Sequence, residues 1–243
     1  RSSDLLAEEL RLAQQALMAM IDREREHAAI VPASPRSTLR EVLTPAVLMY
    51  TLAYFCLTNT LSAINIWTPQ ILQSFNTGSS NIMIGLLAAI PQFCTIFGMI
   101  WWSRRSDRRK ERKMHTILPY LFAAAGWLLA SATHHSLIQL IGIIMASVGS
   151  FTAMAIFWTT PDRVISLQSR AVALAVINAI GNVGSAVSPL LIGILRDTTG
   201  SFSSGLWFVA GLLIVGALVL TRIPMSQRED AAAAPGLAAQ KGH

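Results

Sequence analysis

The sequence predicts an all-α membrane protein with six transmembrane helices, and three observations carry that prediction. Hydrophobic residues fill 53% of the 243 positions and charged ones only 13%, with a mean hydropathy of +0.50. A soluble domain carries about 25% charged residues, so roughly half of the expected charge is missing. The remaining charge is segregated. No Asp, Glu, Lys or Arg occurs between Glu41 and Arg104, Lys113 and Asp162, Arg170 and Arg196, or Asp197 and Arg222. A hydrocarbon core of about 30 Å needs about 20 apolar helical residues to cross it, and each run supplies one or two such lengths. The third observation is an alternation of Lys and Arg between successive connections, developed below.

The elements follow in order. The run from 42 to 103 is too long for one helix, and the polar, Gly-containing stretch from Gln70 to Asn81 reads as a turn. That leaves spans at 46–69 and 82–102. The run from 114 to 161 is broken by Ser131-Ala-Thr-His-His-Ser136, which gives spans at 116–131 and 137–160. Residues 171–195 and 205–222 supply one span each. With six spans, eighteen of the nineteen Lys and Arg residues fall on one face and only Arg196 on the other. The face rich in Lys and Arg is the cytoplasmic one, so both termini are expected in the cytoplasm. This topology accounts for the net charge of +6 and the pI of about 10.0, and no nucleic-acid partner is expected.

Residues 1–40 differ in kind. Leu6, Leu10, Ala13, Leu17 and Ile21 recur at helical spacing, with Glu8, Glu9, Arg11, Arg23 and Glu24 on other faces. Ser2, Ser3 and Asp4 offer capping side chains, and Pro32 and Pro35 end the pattern. The segment is expected to form an amphipathic cytoplasmic helix, 41–222 the transmembrane bundle, and 223–243 a disordered cytoplasmic tail. The chain begins at Arg1 without a signal peptide and reads as a piece of something longer.

An enzyme in this setting needs an ionisable or nucleophilic constellation at depth. The spans hold no charged side chain, no paired aspartates and no Gly-x-Ser-x-Gly. Cys56 and Cys94 lie in apolar stretches, which excludes a disulfide framework and a Cys-based zinc module. His134 and His135 read as an interfacial pair without a third metal ligand, and His115 as interfacial. No catalytic residue, metal or cofactor is expected.

Polar uncharged residues cluster instead. Asn59, Ser62 and Asn65 recur every three residues in the first span, and Asn178 and Asn182 stand at i, i+4 in the fifth, beside Gly181 and Ser185. An amide in hydrocarbon needs a partner, so these residues face other helices or a wet cavity. Helix–helix hydrogen bonding and cavity lining both fit. The pairs Gly181-x-x-x-Ser185 and Gly184-x-x-x-Ser188 allow close backbone approach. Pro91 and Pro189 each remove a helix hydrogen bond.

The loop after the second span, from Gly98 to His115, carries Asp107 and Glu111 among seven basic residues. A positive-inside loop needs no acid. A carboxylate there can pair with Arg and hold two helices in one conformation, so Asp107, Arg108 and Arg112 are candidate latch residues.

That loop resembles the cytoplasmic Gly…Asp-Arg…Arg-Arg/Lys motif of the major facilitator superfamily, in the copy of its second six-helix half. Here Arg109-Lys110 stands where the motif has a second glycine. Tyr54–Leu72 resembles the seventh helix of the anion:cation symporter branch, as do Phe157-Trp-Thr-Thr-Pro161 and the later Ala-Val-Ala-Leu-Ala-Val-Ile-Asn-Ala-Ile-Gly-Asn-Val-Gly184. The branch contains tartrate-, phthalate-, galactonate- and hydroxyphenylacetate-type permeases. The resemblance covers about residues 40–230 and makes 1–40 the loop between two halves.

It implies the C-terminal half of a twelve-helix fold built from 3+3 inverted repeats. Gly98…Arg105-x-Asp107 and Gly193-x-x-Arg196-Asp197 are an echo of that repeat. The implied activity is secondary transport of a small organic anion by alternating access, coupled to a proton or another cation, in the inner membrane. A sensor that binds an organic acid on the same fold is the alternative. Family members bind the anion with a tryptophan and an asparagine twenty residues apart, which Trp158 and Asn178 match; Trp158 also suits an aromatic belt. Asn59, Asn65 and Asn182 join them as candidate substrate-binding residues. The implied partners are the carboxylate substrate, the coupling ion, the lipid bilayer and the missing N-terminal half. A cationic partner for the anion and a titratable coupling group would lie in that half, because these spans hold neither.

Overall fold

The computed structural model describes residues 11, 14–15, 17–20, 22, 43–75, 78, 80–109, 111–133, 135–161, 164–165 and 169–223. The chain divides into two compact units, Arg1–Glu41 and Val42–His243. In the first, the described residues are helical, and Leu17, Met18 and Met20 are exposed. The cap at Ser2–Asp4, the break at Pro32 and Pro35, His134 and the tail from 224 onward lie outside the described residues.

The second unit is six helices: α1 Pro45–Phe75, α2 Asn81–Arg109, α3 Lys113–Ser131, α4 Ser136–Phe157, α5 Arg170–Thr199 and α6 Ser203–Arg222. Each is long and apolar enough to cross a membrane. Two expectations need correction. The stretch from Gly98 to Arg109 is helix and not loop, because α2 runs on past residue 102 to Arg109. The turn does not begin at Gln70, because α1 runs on to Phe75. Ile71 and Leu72 are fully buried, and their packing holds the helix together beyond Pro69. At 31 residues α1 is about 46 Å long, well over the hydrocarbon thickness.

The packing follows the repeat. α1 packs on α5 as α4 packs on α2, and α1 on α6 as α4 on α3. The contacts α1–α4 and α3–α6 join equivalent helices of the two triplets. The glycines of the echo obey the same exchange: Gly98 of α2 faces Val148 of α4, and Gly193 of α5 faces Trp67 of α1.

Small residues set the closeness of two seams. Between α3 and α4, a Cβ on Gly126 would meet the Ala146 nitrogen at 2.5 Å, and one on Gly142 the Gly126 carbonyl at 2.6 Å. Between α1 and α5, a Cβ on Gly184 would collide with the Phe55 carbonyl and lie 2.6 Å from Thr58 Oγ1. Close approach brings side chains to the facing backbone, and α1 uses it. Thr58 Oγ1 donates to the Gly181 carbonyl at 2.6 Å, and Ser62 Oγ to the Ser185 carbonyl at 2.8 Å. Two further bonds tie α3 to α1: Tyr120 Oη to the Ala53 carbonyl at 3.0 Å and Trp127 Nε1 to Thr60 Oγ1 at 2.8 Å. Each such bond is modest in a membrane, about 0.6 kcal/mol, but together they fix the rotational phase of α1. That phase decides which of its polar residues face open space.

Candidate functional site

A concavity of about 510 Å³ lies where α1, the end of α4 and α5 meet, lined by Tyr54, Met154, Trp158, Leu174, Ala175 and Asn178. Its position follows from helix direction. α1 and α5 run parallel along their seam, so Tyr54, beside Gly181, stands level with the first turns of α5. Trp158 caps the C-terminus of the antiparallel α4 and reaches the same level.

Aromatic packing builds one wall. The Tyr54 ring stacks on Phe157 at 5.3 Å and meets the Trp158 ring edge-on at 4.9 Å. Such pairs are worth about 0.5–1.5 kcal/mol beyond the area they bury. Trp158 is therefore packed into the bundle rather than displayed in an aromatic belt.

Hydrogen bonds build the other wall. Asn182 Nδ2 donates to the Asn178 carbonyl and to Asn178 Oδ1, each at 2.8 Å. The direction of these bonds is fixed by the main-chain carbonyl. A main-chain carbonyl can only accept, so the Asn182 atom touching it is nitrogen, and the Asn178 atom facing that nitrogen is oxygen. The Asn178 side chain is exposed, and its amide nitrogen donates to no partner among the described residues. A donor surface beside an aromatic face suits an anion with a hydrocarbon body.

The sequence-predicted residues separate here. Trp158, Asn178 and Asn182 come together, with Asn178 about two turns from the start of α5 rather than at mid-helix. Asn59 does not join them. It is fully buried at the α1–α5 seam against Gly184, with Nδ2 donating to the Phe55 carbonyl at 3.0 Å. Asn65 is exposed on α1, eleven residues or about 16 Å along the helix from Tyr54. A step of three residues lags a helical turn by 60°, so Asn59, Ser62 and Asn65 fan across 120° instead of sharing one face. Sequence reasoning missed Tyr54 as a site residue. The signal was the spacing of Tyr54, Thr58 and Ser62, which keeps one face.

At the α2–α3 corner, Arg112 pairs with Asp107 at 2.6 Å and donates to Ser106 Oγ at 3.2 Å. Trp102 Nε1 donates to the His115 carbonyl at 3.0 Å and pins α3 to the end of α2. Arg108 makes no ion pair among the described residues and stands on another side of α2 from Asp107.

The sequence pattern of the Major Facilitator Superfamily matches residues 12–189. The chain belongs to that superfamily. A protein of Agrobacterium vitis named for tartrate transport is 38% identical over 173 residues, which cover 71% of this chain and 38% of that protein. A quinolone resistance transporter of Acinetobacter baumannii is 31% identical over 86% of this chain and 47% of its own length. A protein of Escherichia coli strain K12 named for galactarate and D-glucarate transport is 31% identical over 59% of this chain and 33% of its own. The chain thus spans less than half the length of these curated relatives. They are transporters, not enzymes, and the names for tartrate and galactarate agree with the anion:cation symporter branch of the superfamily. The all-helical architecture with six candidate spans is that of a multi-pass superfamily member.

Proposed function

We propose that this chain is the C-terminal half of a secondary transporter that moves a small organic anion across the inner membrane by alternating access. Coupling is to a proton or another cation, and both termini are cytoplasmic. The observation that carries the reading is the Asn178 amide, held by Asn182 beside the Trp158 ring in one concavity. It orients two amide N–H groups toward a substrate carboxylate, while the Trp158 ring offers an apolar face to its carbon skeleton. The relatives' names supply the substrate class. Hydrogen bonding to a carboxylate by neutral donors leaves its charge uncompensated here. The cation that balances it and the group that carries the coupling proton belong to the facing half in this reading. The Asp107–Arg112 pair holds the α2–α3 corner in one conformation and acts as the latch.

The test is uptake of labelled tartrate and galactarate by the chain together with its N-terminal half, in liposomes under an imposed inward proton gradient. Accumulation above the equilibrium level that falls about ten- to a hundredfold in Asn178→Ala supports the proposal, the scale expected for one hydrogen bond to a charged group. Unchanged kinetics in that variant at equal membrane abundance overturns the assignment of Asn178.

A further inference from the structure

The last turns of α2 carry a second arrangement that substrate transport does not use. An apolar groove of about 520 Å³ runs between α2, α3 and α4, walled by Gly98, Trp101, Trp102, Leu118, Phe122 and Val148. Gly98 lets α4 pack close at its floor, since a Cβ there would strike Val148 Cγ1. Beside it, a second concavity of about 400 Å³ is formed by Phe97, Ile100, Trp101 and four arginines, Arg104, Arg105, Arg108 and Arg109. Trp101 borders both.

The order along α2 is the informative part. Phe97, Ile100, Trp101, Arg104, Arg105 and Arg108 are spaced three or four residues apart or adjacent, so they form one stripe. The stripe is apolar for its first turns and cationic for its last. All four arginines are exposed, and none has an acidic partner among the described residues. Asp107, the nearest acid, faces away and is engaged by Arg112 at 2.6 Å. Arg105 lies over the Trp101 ring at 5.8 Å, which places a guanidinium above the groove mouth.

We infer that this groove and arginine stripe form a seat for an anionic glycerophospholipid, with an acyl chain along Trp101 and Phe122 and the phosphodiester on the arginines. The chemistry selects that occupant. An acyl chain needs an apolar wall, which this groove supplies along Trp101, Leu118, Phe122 and Val148 with the hydroxyl of Thr152 at its edge. A headgroup phosphate one turn higher needs guanidinium donors. Four arginines without an acidic partner among the described residues repel the ammonium of a zwitterionic headgroup, so a phosphatidylglycerol-type lipid is preferred over phosphatidylcholine.

Trp101 provides the readout. The purified chain is reconstituted in phosphatidylcholine vesicles containing a minor fraction of phosphatidylglycerol, with bromine on the acyl chains of one lipid or the other. Brominated phosphatidylglycerol should quench tryptophan fluorescence as though enriched about tenfold at the protein, the scale of one to two arginine contacts at a membrane surface. Trp101→Phe should remove most of the excess quenching. The combined change R104Q/R105Q/R108Q/R109Q, checked for helicity by circular dichroism, should abolish the lipid preference, whereas Arg222→Gln should keep it. Equal quenching by the two lipids in the unaltered chain overturns the inference. So does a preference that survives the fourfold change, or excess quenching that survives Trp101→Phe.

Discussion

The side-chain amide of Asn182 holds Asn178 by two bonds at once, one to its carbonyl and one to its Oδ1, both 2.8 Å long. One residue thereby fixes both the backbone level and the rotation of the other. This separates the roles of the two asparagines, which the i, i+4 spacing alone could not do.

Asn178→Asp should weaken anion binding more than Asn178→Ala. The aspartate keeps the size of the amide but replaces two donors with acceptors and adds a like charge. Competition against a labelled carboxylate substrate in the assembled transporter measures the difference.

Asn182→Ala leaves the Asn178 donors in place but free to rotate. A loss of a few-fold in affinity is expected, smaller than for Asn178→Ala, at roughly the 0.5–1.5 kcal/mol of a neutral hydrogen bond. Tyr54→Phe should leave affinity nearly unchanged, since the ring contacts with Phe157 and Trp158 are kept.

Gly184→Ala and Gly211→Ala should move stability in opposite directions. The added methyl at 184 collides with the Phe55 carbonyl across the α1–α5 seam, whereas nothing lies within 4 Å of a Cβ at 211. Overpacking costs about 1–3 kcal/mol, and relieving a helical glycine contributes about 0.5–1 kcal/mol. Thermal unfolding of the detergent-solubilised chain should show a lower midpoint for the first and an unchanged or higher one for the second.

Asp107→Asn should alter turnover more than substrate affinity. The Asp107 carboxylate is 61% exposed, so its pair with Arg112 contributes little to stability, at most about 1 kcal/mol. Transport rates and substrate affinity measured side by side check this. Normal turnover with weakened affinity would contradict it.

The helices were legible in the sequence because a bilayer forbids unpaired charge over about 20 residues, so gaps in charge mark spans. The end of α1 was not, because Ile71 and Leu72 sit among polar neighbours and only their burial keeps the helix going. Within the site, Trp158 and Asn178 could be paired across twenty residues by resemblance. Rotational phase could not be read. Asn59 turned into the seam, and Tyr54 read as one more aromatic in an apolar run. Arg108 was grouped with the Asp107 pair through adjacency, but neighbours in a helix point 100° apart.

The α1–α5 seam has a consequence for how such a protein changes over generations. Thr58 and Ser62 grip α5 by its main-chain carbonyls, which every residue type carries. The grip is therefore indifferent to the identity of the α5 side chains facing the concavity. Positions 174, 175, 178 and 182 can be exchanged without loosening the scaffold, provided Gly181 and Gly184 stay small. Divergence in what the concavity holds then needs only a handful of substitutions on a frame that need not be reinvented.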